Sequence, residues 1–230
     1  MTVIVALCVT SALLVGAAWG LWGRFPKSVE GALLAIAGGA LIVSAVQELM
    51  QPAIRQGGEF IALSAMVGGA LVFTGLDWLV DKKLNGGGAG GFGLLLAITL
   101  DGVPENLALG VALIGASPMS VLALAGSIFL SNLPEAAGGA RGMQDSIGSK
   151  GKIFALWTFT ALILAGSTIA GNLLLADVGL ETLSAIRAFA AGAVIASLAT
   201  EVFPKAFRED QVMAGVFAAI GVMLALLMGA

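Results

Sequence analysis

Two apolar stretches carry the residues best suited to chemistry. They are ITLDGVPENLALGVALIG, Ile98 to Gly115, and IFLSNLPEAAGGARG, Ile128 to Gly142. On a helix Asp101 and Glu105 are i and i+4 and share one face, and Ser131 and Glu135 do the same on the next apolar run. Each pair brackets a proline. Pro104 and Pro134 cannot donate to the carbonyls of Leu100 and Leu130, which leaves two backbone oxygens without an intrahelical partner. With Asn106 and Asn132 beside them, carboxylates, amides and freed carbonyls make an all-oxygen ligand set suited to a cation. An enzyme would need a nucleophile with a base, or facing aspartates. The chain has no His, and Asp101 has only Glu partners, so neither an enzyme nor a catalytic cofactor is expected.

Charge accounting says what such a cage needs. Between Lys83 and Arg141 there is no basic residue, yet Asp101, Glu105 and Glu135 lie there. Each costs about 2.5 to 3.5 kcal/mol near a bilayer centre if ionised and unpaired. A mobile positive charge, a metal ion or protons, is therefore expected to enter. Kinked spans glued by protonated acids would suit one such residue. Three acids, two amides and two prolines in duplicate fit that bland role poorly.

The elements that position these residues are read from hydropathy. Of 230 residues 59% are hydrophobic and only 11% charged, with a mean hydropathy of +1.03; soluble domains carry about 25% charged residues. Apolar runs of about 20 residues follow one another, each the length of a bilayer core. They predict eight spans: Val3–Trp22, Gly31–Met50, Phe60–Val80, Gly91–Ile114, Val121–Ala140, Ile153–Leu175, Leu183–Phe203 and Met213–Met228. The expected fold class is thus an all-α integral membrane protein with residues 1–230 as one transporter domain. The first run has no basic region before it and no cleavage pattern after it, so it is expected to be retained as a span. With one cysteine, Cys8, and no His, neither a disulfide framework nor an imidazole or thiolate metal cluster can form within the chain.

Nine of the eleven Lys and Arg fall in loops 1, 3, 5 and 7; only Arg55 and Arg187 lie at the opposite side. The positive-inside rule then predicts both termini outside the cytoplasm. The third loop, DKKLNGGGAGG, is Gly-rich but lacks the P-loop and dinucleotide patterns, so it reads as a linker. No nucleotide or nucleic-acid partner is expected. GALIVSAVQELMQPA (Gly39 to Ala53) and GAVIASLATEVFPKA (Gly192 to Ala206) align, with Glu48 and Glu201 each nine residues after the glycine. The predicted topology runs these two spans in opposite directions. Spans 1–3 and 6–8 are therefore expected to form an inverted repeat, a transporter signature, around proline-kinked spans 4 and 5.

In these features the chain resembles the ZIP (zinc and iron permease) family, closest to its GufA-like bacterial branch. The likeness covers essentially the whole chain, and the paired Pro-Glu motifs on spans 4 and 5 are its most specific part. It implies divalent metal transport through a central site on spans 4 and 5, with spans 2 and 7 adding ligands. It also implies that spans 1, 4, 5 and 6 move against 2, 3, 7 and 8. The family motif His-Asn/Ser-x-Pro-Glu falls on Asp101, Gly102, Val103, Pro104 and Glu105, with Asp in place of His. The second motif falls on Ser131, Asn132 and Glu135. Asp101, Glu105, Asn132 and Glu135 are the expected central site; Ser131, Asn106, Glu201, Gln47 and Glu48 are further lining or gating candidates. The substrate expected from the resemblance is zinc. The oxygen-only donors suit Mn, Fe, Mg or Ca as well, and a proton- or sodium-coupled carrier is the alternative. A bacterial inner membrane, the lipid bilayer and a second copy forming a homodimer complete the expected setting.

Overall fold

The computed structural model describes residues 1–23, 26–85, 90–116 and 121–228, without the side chains of residues 81, 83–85, 90–98, 100 and 101. The Asp101 side chain, Arg24 and Gly86, Gly87 and Gly88 of loop 3 thus lie outside the described residues. The described chain is all helix. In order, α1 is Thr2–Trp22, α2 is Lys27–Gly57, α3 is Glu59–Asn85, α4 is Gly90–Ala112 and α5 is Leu122–Gly142. A single turn, α6 (Gln144–Ile147), leads to α7 (Lys150–Leu174), α8 (Leu180–Glu209) and α9 (Ala214–Met228). Every segment expected from hydropathy contains a helix. Five of them, α1, α2, α3 up to Val80, α7 and α8, are long and apolar enough to cross a bilayer, and α9 is a shorter apolar helix. Phe60, Val67 and Leu71 of α3, Leu162 of α7 and Leu227 of α9 stand exposed, as lipid-facing side chains do. The chain is an all-α membrane protein.

Hydropathy misplaces the ends of α2 and α8, which run past Pro52 and Pro204. Proline ends neither helix here; it widens the turn before it. Ala45–Met50 in α2 and Leu198–Val202 in α8 are π-helical, closed by Gln51 N–H to the carbonyl of Val46 and by Phe203 N–H to that of Leu198, each five residues back. Pro52 and Pro204 sit second in the α-helical turns that follow. A proline lacks the N–H for the carbonyl four residues earlier and its ring presses on it. The turn holding Glu48 and Thr200 relaxes by one residue into a π segment, a feature frequent at functional sites. Pro104 and Pro134, by contrast, lie inside uninterrupted α4 and α5.

Packing sorts the helices into two groups. In one, α1 lies along α5 and α7, and α4 along α7; in the other, α2 pairs with α9 and α3 with α8; the two are joined along α2 and α5, which pack as extensively as α1 and α7 do. Glycines set the second group's crossings. A Cβ on Gly39 would run into the carbonyl of Ala218 of α9, and one on Gly221 into that of Ile36 of α2. Gly192 and Gly69 face the carbonyls of Met66 and Phe189 in the same reciprocal way. The first group adds polar ties: Asn172 Nδ2 donates to the Gly110 carbonyl at 3.2 Å, and Thr2 Oγ1 to Asn172 Oδ1 at 2.8 Å. Because backbone blocks the space at Gly192, Gly192→Ala is expected to destabilise the protein by about 1–3 kcal/mol, the usual cost of overpacking. Gly166→Ala in α7, where a Cβ meets nothing within 4 Å, is the control, expected to be neutral or slightly stabilising. Thermal unfolding in detergent compares them; equal melting temperatures would mean that α3 and α8 do not cross so closely.

Candidate functional site

The acids of the two proline helices meet between the groups. Glu105 of α4 is 5% exposed and lies within the electrostatic reach of Glu135 of α5 and Glu201 in the π segment of α8. Three carboxylates expected at one site are thus brought together by three helices. The π turn matters here: it shifts the register of α8 just where Glu201 leaves it.

Glu135 and Glu201 line a cavity of about 760 Å³. Six acids, Glu30, Asp77, Glu135, Asp145, Glu201 and Glu209, and four bases, Lys27, Arg141, Lys205 and Arg208, line it, a formal excess of two negative charges. These bases belong to loops 1, 5 and 7, so the cavity opens at the end where basic residues cluster. Glu105 does not line it and is buried. Asp77 of α3, Asp145 of α6 and Glu209 at the end of α8 are cavity-lining residues.

The remaining candidates divide. Asn132 is 1% exposed and its Nδ2 has no hydrogen-bond partner among the described residues; the same holds for Gln47 Oε1 and, one turn earlier, Ser44 Oγ. Buried unpaired polar groups cost about 1–3 kcal/mol each, so these two amides and the hydroxyl can take a ligand or water. Asn106 is occupied. Its Nδ2 donates to the Gly102 carbonyl at 2.9 Å and its Oδ1 accepts from Thr168 Oγ1 of α7 at 3.2 Å. Ser131 is fully buried and donates to the Ile128 carbonyl of its own helix at 3.1 Å. Glu48 is partly buried in its π segment and does not line the cavity. Among the described residues no group of three His, Cys, Asp or Glu converges closely enough to hold a metal ion.

The structure corrects one step of the charge accounting. The chain between Lys83 and Arg141 has no base, but Lys205, from α8, acts electrostatically on Glu135. A fixed cation therefore already stands near the acids. Its partner, Glu30, is a residue that sequence reasoning missed. Glu30 is 2% exposed at the start of α2 and accepts from Arg141 Nη2 of α5 at 2.8 Å and from Lys205 Nζ at 3.1 Å. An acid placed three residues after Lys27, at the edge of a span, was the available signal. At the opposite end Arg187 of α8 is 6% exposed; its guanidinium donates to Gln56 Oε1 of α2 at 2.8 Å and to the Ile114 carbonyl just past α4 at 3.4 Å. Each end of the molecule thus has a buried charge tying α2 and α8 to α4 or α5.

No family model matches the chain, and no curated protein matches it either.

Proposed function

We propose that the protein is a permease for divalent metal cations, with Glu105, Glu135 and Glu201 as the central carboxylates and the charged cavity as the vestibule on the cytoplasmic side. One observation carries the reading. Three acids from three helices lie within each other's field inside an apolar helical bundle, and two of them line a cavity with a net negative lining. Their mutual repulsion and the burial of Glu105 favour positive charge at such a trio beyond the single ammonium of Lys205. Asn132, three residues before Glu135, has an unpaired Nδ2 that can donate to a carboxylate or to a water of the site. Asp101, one turn before Glu105, supplies the fourth acid of the sequence pattern.

The transporter architecture has its own support. The reciprocal glycine crossings pair α2 with α9 and α3 with α8 in one geometry, and two π segments followed by proline occupy equivalent places in α2 and α8. An inverted repeat of spans 1–3 and 6–8 accounts for both. Eight spans with both termini outside a bacterial inner membrane follow from that repeat and the positive-inside rule. Arg187 with Gln56 and Ile114 then closes the outer end while the vestibule stands open to the cytoplasm. A cysteine placed at Asn85 should be labelled by an impermeant thiol reagent only from the cytoplasmic side, and one at Leu180 only from outside, in a Cys8→Ser background. Labelling of both from the same side would remove the inverted repeat.

Uptake tests the function itself: liposomes holding the purified protein should accumulate manganese or zinc above empty-liposome background. A second reading is favoured by the lack of a converging ligand trio among the described residues. In it the carboxylates carry protons or sodium, and a pH or sodium gradient, with no divalent ion, drives a measurable current.

A further inference from the structure

Lys205 stands four residues after Glu201 and projects into the same vestibule. Its ammonium lies 3.1 Å from Glu30 Oε1 and 3.2 Å from the point where a Cβ on Gly138 would sit. Gly138 is one helical turn after Glu135, so the ammonium rests against α5 one turn from that carboxylate. The approach needs the glycine: a Cβ there would also collide with the Glu30 carboxylate. Glu30 is shared with Arg141 at 2.8 Å. One carboxylate thus serves two cations, and the vestibule beside them is lined by Glu135 and Glu201 together with Asp77, Asp145 and Glu209.

We propose that Lys205 is a tethered counter-ion of the central carboxylates, sharing its ammonium between Glu30 and Glu135 and competing with the transported divalent cation for Glu135 and Glu201. This rests on the permease reading above and adds what governs release. A lysine suits the task because its compact charge rides on a flexible four-carbon stem. With the cation bound, the ammonium is repelled toward Glu30; as the cation leaves for the vestibule, the ammonium returns and the acids are never left uncompensated. The fixed charge therefore weakens binding on the vestibule side and speeds release.

The competition fixes opposite signs for two variants. In the purified full chain, titrated calorimetrically with manganese or zinc chloride, Lys205→Gln should bind the metal about tenfold more tightly, since a unit charge removed beside a partly desolvated site acts at an effective dielectric of about 20. Uptake turnover in liposomes should fall at the same time, because release is slowed. Glu30→Gln should weaken metal binding, because the ammonium then belongs to Glu135 alone. Lys205→Arg keeps the charge and should not tighten binding. A purely structural role predicts loss of affinity in both Lys205→Gln and Glu30→Gln, and that result, or an unchanged affinity in Lys205→Gln, overturns the proposal while leaving the permease reading intact. If Lys205→Gln does not purify as a folded protein, Lys205→Met and Glu30→Gln carry the same opposite signs. A wild-type protein that binds neither metal overturns the permease reading, and this inference with it.

Discussion

Glu105→Gln combined with Glu135→Gln abolishes divalent-metal uptake into liposomes and removes the stabilisation that the metal gives the detergent-solubilised protein. Both effects are expected from the same geometry. The two carboxylates come from different helices, lie within each other's field, and one of them is buried and does not line the vestibule. A cation held between them binds the native state alone and raises stability by RT ln(1 + [L]/Kd), about 2.7 kcal/mol at a hundred times Kd. The amides keep the shape and remove the charge, so that gain vanishes. A second sign follows. Without metal, the double variant should melt at or above the temperature of the wild type, because two mutually repelling carboxylates, one of them buried, have been neutralised. Removing metal from the wild type with a chelator should lower its melting temperature and leave that of the double variant unchanged. Uptake at the wild-type rate by the double variant would place the transported ion elsewhere.

The parts of this arrangement that the sequence makes legible are those written along one helix. Apolar runs of bilayer length locate the helices, and i, i+4 spacing puts Glu105 on one face with Asp101 and Glu135 on one with Ser131. The nine-residue step from glycine to Glu48 and Glu201 marks two helices that share a π segment. What lies between helices is not written in any local pattern. Counting bases between Lys83 and Arg141 misses Lys205, because its ammonium arrives from α8, some sixty residues further along the chain. Glu30 looks like one more loop acid until Arg141 and Lys205 are seen around it. Asn106 and Ser131 belong to polar motifs, yet a helix has several faces, and theirs turn to Thr168 and to the backbone of Ile128. The π segments could have been anticipated from Pro52 and Pro204, since a proline four residues after a carbonyl either breaks the ladder or widens it. Only tertiary packing decides which.

The absence of histidine is the feature most open to a decisive test of selectivity. With oxygen donors only, discrimination between zinc and manganese should be weak, since imidazole favours the later transition metals while carboxylate and carbonyl suit harder ions. Asp101→His places a neutral nitrogen donor one turn before Glu105 and removes one negative charge, so zinc should be retained or favoured while manganese weakens. The expected change in the zinc-to-manganese uptake ratio is about tenfold, a difference of about 1.4 kcal/mol in relative binding. Competition for uptake should be measured well above the free imidazole pKa of about 6.5, so that the new ligand is deprotonated. The companion change Ser131→His behaves differently on structural grounds. Ser131 is fully buried and its hydroxyl is bonded within α5, so an imidazole there overpacks the helix interface and costs stability before it can reach an ion. Asp101→His that folds and transports with an unchanged ratio would mean that position 101 does not touch the ion. The oxygen cage would then reduce to Glu105, Glu135 and Glu201, a set better suited to carrying protons than to choosing among metals.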